Sequence, residues 1–490
     1  MLLTPQPSGY TTEEIPPAYV WHQTSRRYPG TRAHQPSSPV STALTPTKVS
    51  GAQYGDQPSV SGWSPYGTAG GMIPLGTTDF REQHRPFGIH LGDLGRHLYV
   101  CGGSGTGKST LLLNMMAAHA ARGDGFGLVD PHGELAAQIL ERIPAARINH
   151  TIAFDPSDDW PISLNVLASG DPRFKDLMVS RVVSLFKSAW GETLIGPRSE
   201  DLLRNATHAV TGLQGATLLW IPKLLVNKEF RAAIVAQIRD PIVKEFWEEE
   251  FATYTPQFRN EVIAPLQNKL RAFLAVAAMR GVLAQHHRTV LMSEVMDRGQ
   301  ILIANLSKGT IGDDNAALLA SLIAEEFFLS ALSRAPGQRP FFLYVDECHN
   351  VKGKVLADIL SEGRKFGLSL TLSHQYTAQL PPTMQAAIFG NAGSQIAFRL
   401  SGSDGVVFER EFGDAFRTAD FTSLSVHHAY IRLSVNGETT TAFSMRTKPP
   451  TIAHGHKDTI IRTSRQRFGR PREVIERSVR KLVEGPQDMP

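Results

Sequence analysis

The chain has little of what several protein classes require. It has only two cysteines in 490 residues, Cys101 and Cys348, which excludes a fold held together by disulfide bonds. No stretch reaches the ~18 consecutive apolar residues of a membrane-spanning helix. The first residues, MLLTPQPSGY, contain an apolar stub that is too short for a signal peptide and has no basic residue before it. We therefore expect a cytoplasmic protein with no direct membrane span, whose association with a membrane would require a partner.

Positive charge is concentrated near the carboxyl end. The net charge at pH 7 is only +4, but residues 456–481 contain nine Lys or Arg and three Asp or Glu. The rest of the chain is therefore almost neutral. A basic segment on a neutral body indicates an anionic partner such as DNA, or else a solubilising surface, and charge alone leaves both open.

Composition and pattern divide the chain into five predicted parts. Residues 1–70 hold ten of the 31 prolines and many Ser, Thr and Gly, which is typical of a disordered segment. Apolar strands alternate with helical runs in 71–170 and again in 291–450. Between them, 171–290 contain only helical patterns, which predicts an all-α insertion. Residues 451–490 form a basic tail that contains an amphipathic helix.

The alternation of strands and helices predicts an α/β fold with a parallel central sheet. The segments expected to form its strands are HLYVC, GFGLVD, TIAFD, QILIANL, FFLYVDE, LSLTLSHQ and SQIAFRL. The pair Asn436-Gly437 separates two alternating segments, AYIRLSV and TTTAFSM. Because Asn-Gly favours the tight turn of a two-residue hairpin loop, we predict that a β-hairpin closes the domain.

The segment YVCGGSGTGKSTLLL, residues 99–113, has the features of a phosphate-binding loop. Its glycines allow successive backbone N–H groups to turn toward phosphate oxygens, and the helix that follows adds the positive end of its dipole. We expect Lys108 to bridge the terminal phosphates of ATP and Ser109 to hold Mg²⁺. The predicted nucleotide-binding residues of this loop are Gly102, Gly103, Ser104, Gly105, Thr106, Gly107, Lys108, Ser109 and Thr110.

Two further strand ends carry candidate catalytic residues. FFLYVDE ends in Asp346 and Glu347, at the sheet edge where the loop also lies. Asp346 is expected to hold Mg²⁺ through a water molecule, and Glu347 to activate the attacking water as general base. Two solvated acids at a strand end are the alternative. Gln375 ends LSLTLSHQ, where its neutral amide suits either a contact with the γ-phosphate or a capping role.

Three arginines are candidates for contact with phosphate. Arg364, in SEGRKFG, would supply a planar, permanently charged donor for the charge that develops during phosphoryl transfer. Arg399, in AFRL, and Arg96, before the first strand, are further candidates, and an ordinary surface role is the alternative for each. The histidines lack the Cys/His spacing of a zinc site, so we expect no zinc.

Several segments, taken together, resemble one known family. They are LVDPHGEL, WGETLIGPRSEDLLRNA, NKLRAFL, NLSKGTIG, LYVDECHN, SEGRKFGLSLTLSHQYTAQL and GNAGSQIAFRLSGSDG, in this order, between about residues 85 and 480. The set is similar to the TraG/TraD-type conjugative coupling ATPases of type IV secretion, within the HerA/FtsK superfamily. It is far more specific than the phosphate loop alone.

The resemblance implies a RecA-like P-loop NTPase core with an inserted all-α domain, which works as a hexameric ring that pumps DNA. It supports the roles given above for the loop and strand-end residues. It also implies that Arg364 reaches into the site of the neighbouring subunit and that Arg96 contacts the nucleotide. The strand that ends in Gln375 is expected between the loop strand and the strand of Asp346.

The chain departs from the family pattern at several points. Membrane-bound coupling proteins begin with transmembrane helices, where this sequence has a Pro/Ser-rich segment. Gly363 stands where alanine is more usual, and Cys348 where an aromatic residue is more usual. The leading interpretation is an ATP-driven, ring-forming DNA translocase that acts with secretion-channel or relaxosome proteins. The alternatives are a nucleotide-dependent recruitment factor that translocates nothing, a HerA-like helicase, or a phage packaging motor.

Overall fold

A computed structural model describes residues 71–79, 84–167, 173, 175–190, 196–287, 289–335, 337–413 and 415–484 of the chain. The segment 1–70, for which the composition predicts disorder, lies outside the described residues.

The strands of the described chain are short and mostly buried. Their bounds are β1 Met72–Thr78, β2 Pro86–His90, β3 Leu98–Cys101, β4 Phe126–Asp130, β5 Thr151–Phe154, β6 Ile301–Asn305, β7 Phe341–Val345, β8 Leu368–His374, β9 Ser394–Ala397, β10 His428–Arg432, β11 Ser434–Val435, β12 Glu438–Thr439 and β13 Phe443–Thr447. Every segment that the sequence predicts as a strand of the central sheet forms one.

Eleven of these strands form one sheet, in the order β2-β1-β13-β10-β9-β3-β8-β7-β4-β6-β5. From β9 to β5 every neighbouring pair is parallel. The prediction of a parallel central sheet is therefore confirmed, including the place of β8 between β3 and β7. Because parallel strands end at the same edge, the loops after β3, β7 and β8 meet there.

The sheet continues on one side as four antiparallel strands, which makes it mixed rather than purely parallel. The predicted hairpin is confirmed: β10 pairs with β13, and β11 and β12 form a ribbon at the tip. At its turn, φ is 52° for Asn436 and 90° for Gly437, as a tight hairpin turn requires. The sequence pattern does not predict β1 and β2, because Pro74, Gly76 and Gly88 interrupt their apolar residues.

Helices cover both faces of the sheet and form the insertion. Their bounds are α1 Leu91–Leu94, α2 Lys108–Arg122, α3 Glu134–Leu140, α4 Lys175–Trp190, α5 Pro197–Val210, α6 Trp220–Val226, α7 Lys228–Val235, α8 Pro241–Glu245, α9 Phe251–Thr253, α10 Pro256–Ala275, α11 Ala277–Leu283, α12 Met292–Asp297, α13 Lys308–Ile311, α14 Asp313–Leu332, α15 Val355–Glu362, α16 Pro382–Asn391, α17 Gly402–Glu411, α18 Thr418–Ser423, α19 Lys457–Phe468 and α20 Arg472–Glu484. A π-helical turn, Phe246–Glu250, lies between α8 and α9.

The insertion shares its core with one face of the sheet. Successive residues of β3 point to opposite faces, as strand geometry requires, so Tyr99 and Val100 belong to different hydrophobic clusters. The cluster of Tyr99 continues through α4 and α5 of the insertion. Arg181 of α4 also forms a 2.8 Å ion pair with Glu325 of α14. These contacts attach the insertion firmly to the sheet, and the predicted domain limits stay a prediction.

Helix α14 has the length and apolar composition of a membrane span, and it is the one described helix that does. In the structure 72% of its most apolar 18-residue segment is buried. The helix packs between the sheet and α4. Helices at the centre of a protein core have the same composition, so this property alone is weak evidence for a membrane span.

The basic tail packs against the body of the protein through two helices. In α19, Ile460 and Ser464 are buried, and the backbone N–H of Ala153 in β5 donates a 3.0 Å hydrogen bond to Ser464 Oγ. In α20, Ile475 and Val479 are buried. The apolar pattern of the sequence predicts only the second of these helices.

Candidate active site

The loop after β3 has the shape of a phosphate cradle. It reverses direction at Gly105 and Gly107, whose φ angles are 70° and 122°, in a region that only glycine enters without strain. Lys108 is the first residue of α2, and its Nζ donates hydrogen bonds to the carbonyl oxygens of Gly102 at 2.5 Å and Gly103 at 3.0 Å. Ser109 and Thr110 follow in the first turn of α2, where the free N–H groups of the helix favour an anion.

Asp346 follows β7 and is buried at the sheet edge beside the loop. Its Oδ1 accepts a hydrogen bond from Ser373 Oγ of the neighbouring strand β8. Burial raises the pKa of Asp346 to about 6, and the nearby Asp130 and Glu347 carboxylates act in the same direction, while the Ser373 hydrogen bond and Lys108 oppose the rise. The ionised form is therefore costly here, and a cation beside Asp346 would stabilise it.

Glu347 has an unusual backbone conformation, with φ 45° and ψ 58°. Such left-handed backbone is strained for a residue with a side chain and is often found at functional sites. Two hydrogen bonds hold it, since its carbonyl oxygen accepts from the N–H of Asn350 at 2.9 Å and from Asn350 Nδ2 at 2.8 Å. The turn directs the Glu347 side chain toward the end of β8.

The Glu347 carboxylate lies between two polar side chains. Gln375 Nε2 donates a 2.9 Å hydrogen bond to its Oε1. Its Oε2 lies 3.4 Å from Nδ1 of His349, and neither of these two buried atoms has a hydrogen bond within the described part of the chain. One carboxylate oxygen is thus held by Gln375, and the other lies beside His349.

Lys108 lies close enough to Glu347 and Asp346 for their charges to act on it. Burial lowers its pKa, whereas the charges of Glu347 and Asp346 raise it. Two buried acids and one lysine leave a local excess of negative charge if both acids are ionised. Mg²⁺ prefers carboxylate, hydroxyl and phosphate oxygens, so the oxygens of Asp346 and Ser109 fit a Mg²⁺ ion that arrives with a nucleotide. The structure therefore brings together Lys108, Asp346, Glu347 and Gln375, as the sequence analysis predicted.

Arg364 lies far from this group in the same chain. It is an exposed residue of the 3₁₀ turn Gly363–Phe366, which precedes β8. Gln375 follows the other end of β8, and six residue steps of about 3.3 Å place the two ends about 20 Å apart. Arg364 therefore lies at the opposite edge of the sheet from its own phosphate loop.

Arg96 is likewise at the amino end of its strand. It precedes β3, and a Cβ added to Gly437 would lie 2.4 Å from its guanidinium, so its side chain packs on the hairpin ribbon. The position does not bring Arg96 to the phosphate loop of its own chain. Arg399 lies at the correct edge, because its carbonyl oxygen accepts a 2.9 Å hydrogen bond from Gly103 N–H.

Two residues near the loop are not singled out by any motif of the sequence. Ser373 had a usable signal, because Ser369, Thr371 and Ser373 are small polar residues within a fully buried strand. His427 had none. Its N–H donates a 2.8 Å hydrogen bond to the carbonyl oxygen of Thr106 in the phosphate loop, a contact between residues that are distant in sequence.

The phosphate-binding loop after β3, the two acids that follow β7 and the mixed sheet together define the P-loop NTPase fold. No protein-family model and no curated protein matches the chain by sequence. Among solved structures, the chain has the fold of the plasmid coupling protein TrwB. The TrwB complex with ADP and Mg²⁺ aligns with a TM-score of 0.58 at 17% identity, over 76% of this chain and 90% of that one.

Two further structures support the same fold. The complex of TrwB with a non-hydrolysable ATP analogue aligns with a TM-score of 0.56 at 17% identity, over 74% of this chain and 87% of that one. VirB4 of Thermoanaerobacter pseudethanolicus aligns with a TM-score of 0.52 at 12% identity, over 78% of this chain and 97% of that one. The fold predicted from the family resemblance is thereby confirmed.

Proposed function

We propose that the protein is an ATPase of the conjugation and type IV secretion type, which assembles into a ring and uses ATP hydrolysis to move DNA. The observation that carries the proposal is the meeting of Lys108, Asp346, Glu347 and Gln375 at one sheet edge. The fold shared with TrwB, whose structures include complexes with ADP and Mg²⁺, supports it.

Each residue of the group has a role in this proposal. Lys108 and the N–H groups of the loop bind the terminal phosphates, and Ser109 and Asp346 hold the Mg²⁺ that accompanies ATP. A bound Mg²⁺ would supply charge neutralisation for the phosphate oxygens. Glu347 accepts a proton from the attacking water as general base, and Gln375 orients the Glu347 carboxylate.

Arg364 supports assembly into a ring. It lies at the opposite edge of the sheet from its own loop, so it can reach a γ-phosphate only in another subunit. A head-to-tail arrangement, in which one edge of each subunit meets the opposite edge of the next, satisfies this and closes into a ring. We propose a homo-hexamer with one arginine donated at each interface.

DNA would be gripped through its phosphate backbone, which requires no reading of base sequence. Exposed basic residues of α20 are candidates for part of this contact. Secretion-channel or relaxosome proteins are the proposed protein partners, and the cytoplasm, with attachment to a membrane only through a partner, is the proposed location.

A displacement assay tests the proposal. A translocase hydrolyses ATP faster when DNA is present, and it removes a tightly bound protein from a DNA end only with hydrolysable ATP. The full-length protein and its Glu347→Gln variant would be compared at one stated salt concentration. If the full-length protein binds DNA and forms rings, yet shows neither stimulation nor ATP-dependent displacement, the translocase proposal fails. A nucleotide-dependent recruitment factor, which binds DNA without displacing anything, would replace it.

A further inference from the structure

His427 packs directly against the phosphate loop from the side opposite to the acids. Its N–H donates a 2.8 Å hydrogen bond to the carbonyl oxygen of Thr106. A Cβ added to Gly107 would lie 3.0 Å from Nδ1 of His427, so one edge of the ring lies against the loop. The residue is nonetheless exposed to solvent, which means that the rest of the imidazole faces outward at the mouth of the site.

The backbone of His427 is held in a strained conformation to achieve this. Its φ angle is 69°, which costs free energy for any residue other than glycine. The carbonyl oxygen of His427 accepts a 2.9 Å hydrogen bond from the N–H of Thr447 in β13. The hydrogen bonds to Thr106 and Thr447 together fix the residue between the phosphate loop and the antiparallel part of the sheet.

The phosphate loop follows β3, which has β8 and β7 on one side and β9 and β10 on the other. We expect these two sides of the loop to face different parts of a bound nucleotide. Glu347 and Gln375 lie on the flank of β8 and β7, where the attacking water and the γ-phosphate must be. A nucleotide is a linear molecule, and its nucleoside is at the end opposite to the γ-phosphate. The nucleoside therefore extends toward the other flank, which is formed by β9 and β10. His427 immediately precedes β10.

We propose that the His427 imidazole contacts the ribose and base of the bound nucleotide. The inference rests on the proposed nucleotide binding and adds the residue that recognises the nucleoside. An imidazole suits this position because its flat face packs on a purine and its outward nitrogen exchanges a hydrogen bond with a ribose hydroxyl. A glycine would adopt this backbone conformation without strain, but it would place no ring beside Gly107.

The test compares ligands with and without a nucleoside. Affinities of ADP, a non-hydrolysable ATP analogue and inorganic tripolyphosphate, each with Mg²⁺, would be measured by calorimetry on the full-length protein. His427→Gly removes the ring and keeps the positive φ angle, and His427→Asn retains a short polar side chain that tolerates it. Val426→Ala, at the exposed neighbouring position, is the matched control, and Lys108→Ala is the reference for loss of phosphate binding.

We expect His427→Gly to weaken binding of ADP and of the ATP analogue about tenfold, the effect of one good contact, with less than about a twofold change for tripolyphosphate. Val426→Ala should change none of the three. Equal losses of affinity for all three ligands would show that the imidazole only supports the loop. An unchanged affinity for ADP would show that His427 does not contact the nucleoside. If the wild-type protein binds none of the ligands, the proposed function fails, and that result is separate from a failure of the His427 assignment.

Discussion

Gln375 and Glu347 are joined by a 2.9 Å hydrogen bond from the amide Nε2 to the carboxylate Oε1. The bond links the ends of two adjacent parallel strands, β8 and β7, at the edge where the phosphate loop lies. A side-chain amide adds no charge, so it can orient the carboxylate without altering the balance between Lys108 and the two acids. In the proposed mechanism, Gln375 acts on the Glu347 carboxylate, and through it on the water that Glu347 activates.

Glu347→Gln should retain nucleotide binding and lose turnover. The glutamine has the same shape but cannot accept a proton, and general bases typically contribute a factor of about 10²–10⁴ to the rate. We expect kcat to fall within this range while the affinity for the ATP analogue changes less than about threefold. Steady-state hydrolysis and equilibrium binding measure the two quantities. Hydrolysis by Glu347→Gln at the wild-type rate would show that another group is the base.

Gln375→Ala should lower kcat more than it changes KM, because it frees the Glu347 carboxylate without touching the phosphate cradle. We expect a reduction of about tenfold in kcat, the cost of one orienting hydrogen bond. Gln375→Glu should reduce kcat further, since two carboxylates would then repel each other at hydrogen-bond distance. Gln379→Ala, which removes a partly buried amide in the turn after β8 that accepts a hydrogen bond from the Tyr376 N–H, is the control. An increase in KM with kcat unchanged would instead place Gln375 on the nucleotide.

Local signals predicted the parts of the site that each lie on one short segment. Lys108 follows a glycine-rich turn between a strand and a helix, and Asp346 and Glu347 end a buried strand, so sequence spacing alone locates them. The place of β8 beside β3 came from the family resemblance, because strand order depends on crossovers that no local pattern records. The predicted roles of these residues stay predictions until variants are measured.

Contacts between distant segments could not be predicted in this way. His427 meets Thr106 only because β10 runs antiparallel beside β9, and that pairing depends on the register of the whole sheet. Helix α19 was missed because its short apolar pattern is dominated by charged residues, although Ile460 and Ser464 pack onto β5. In both cases tertiary packing decides the structure, and the segment itself carries little information about its partner.

The stability of the protein should fall as the pH decreases from 6.5 to about 4, in part because of His97. Burial lowers the pKa of His97 to about 4, and the nearby Arg364 guanidinium adds to this. The imidazole of the unfolded chain binds a proton below its ordinary pKa of about 6.5, whereas the folded one stays neutral until about 4. Proton binding therefore favours the unfolded state throughout this window, by up to about 3 kcal/mol at its acid end.

Chemical denaturation at several pH values measures the His97 effect, with His97→Asn as the comparison. Asparagine tolerates the positive φ angle of 68° at this position and does not titrate. The variant should lose less stability than the wild type between these pH values. Some pH dependence should remain, because burial also lowers the pKa of His374 to about 4. Identical pH profiles for the two proteins would rule out His97 as a contributor.

The basic tail should contribute to DNA binding through α20 rather than through its packed neighbour α19. Arg465 and Arg467 of α19 are exposed but already bonded to Asp158 and to the carbonyl oxygen of Asn149. Arg477, Arg480 and Lys481 of α20 are exposed and have no such partner among the described residues. Because truncation after Pro450 would also remove the buried face of α19, point variants are preferable. Replacing the three exposed residues of α20 by Gln should weaken DNA binding with basal ATP hydrolysis unchanged.

The salt dependence of DNA binding measures how many phosphate contacts α20 makes. Each lost phosphate contact lowers the slope of log K against log salt by about 0.9 on duplex DNA, so three contacts would lower it by about 2.7. The same neutralisation at Lys228, Arg239 and Lys244 of the insertion is the control for a change in net charge. If the two triple variants alter the slope equally, or neither alters it, the tail is only a solubilising surface.

Arg364 should act in the site of a neighbouring subunit, which mixing of inactive variants can reveal. Lys108→Ala removes the phosphate contact of one subunit and leaves its arginine intact, whereas Arg364→Ala does the reverse. Because β8 separates Arg364 from its own site by about 20 Å, an interface between the two variants would combine an intact loop with an intact arginine. We expect each variant alone to be inactive, and a mixture that forms shared rings to recover part of the wild-type ATPase activity.

Arg399→Ala, which alters an arginine at the same edge as the loop, should not be rescued by Lys108→Ala if it acts within its own subunit. Mixed rings without any recovered activity would show that Arg364 is structural.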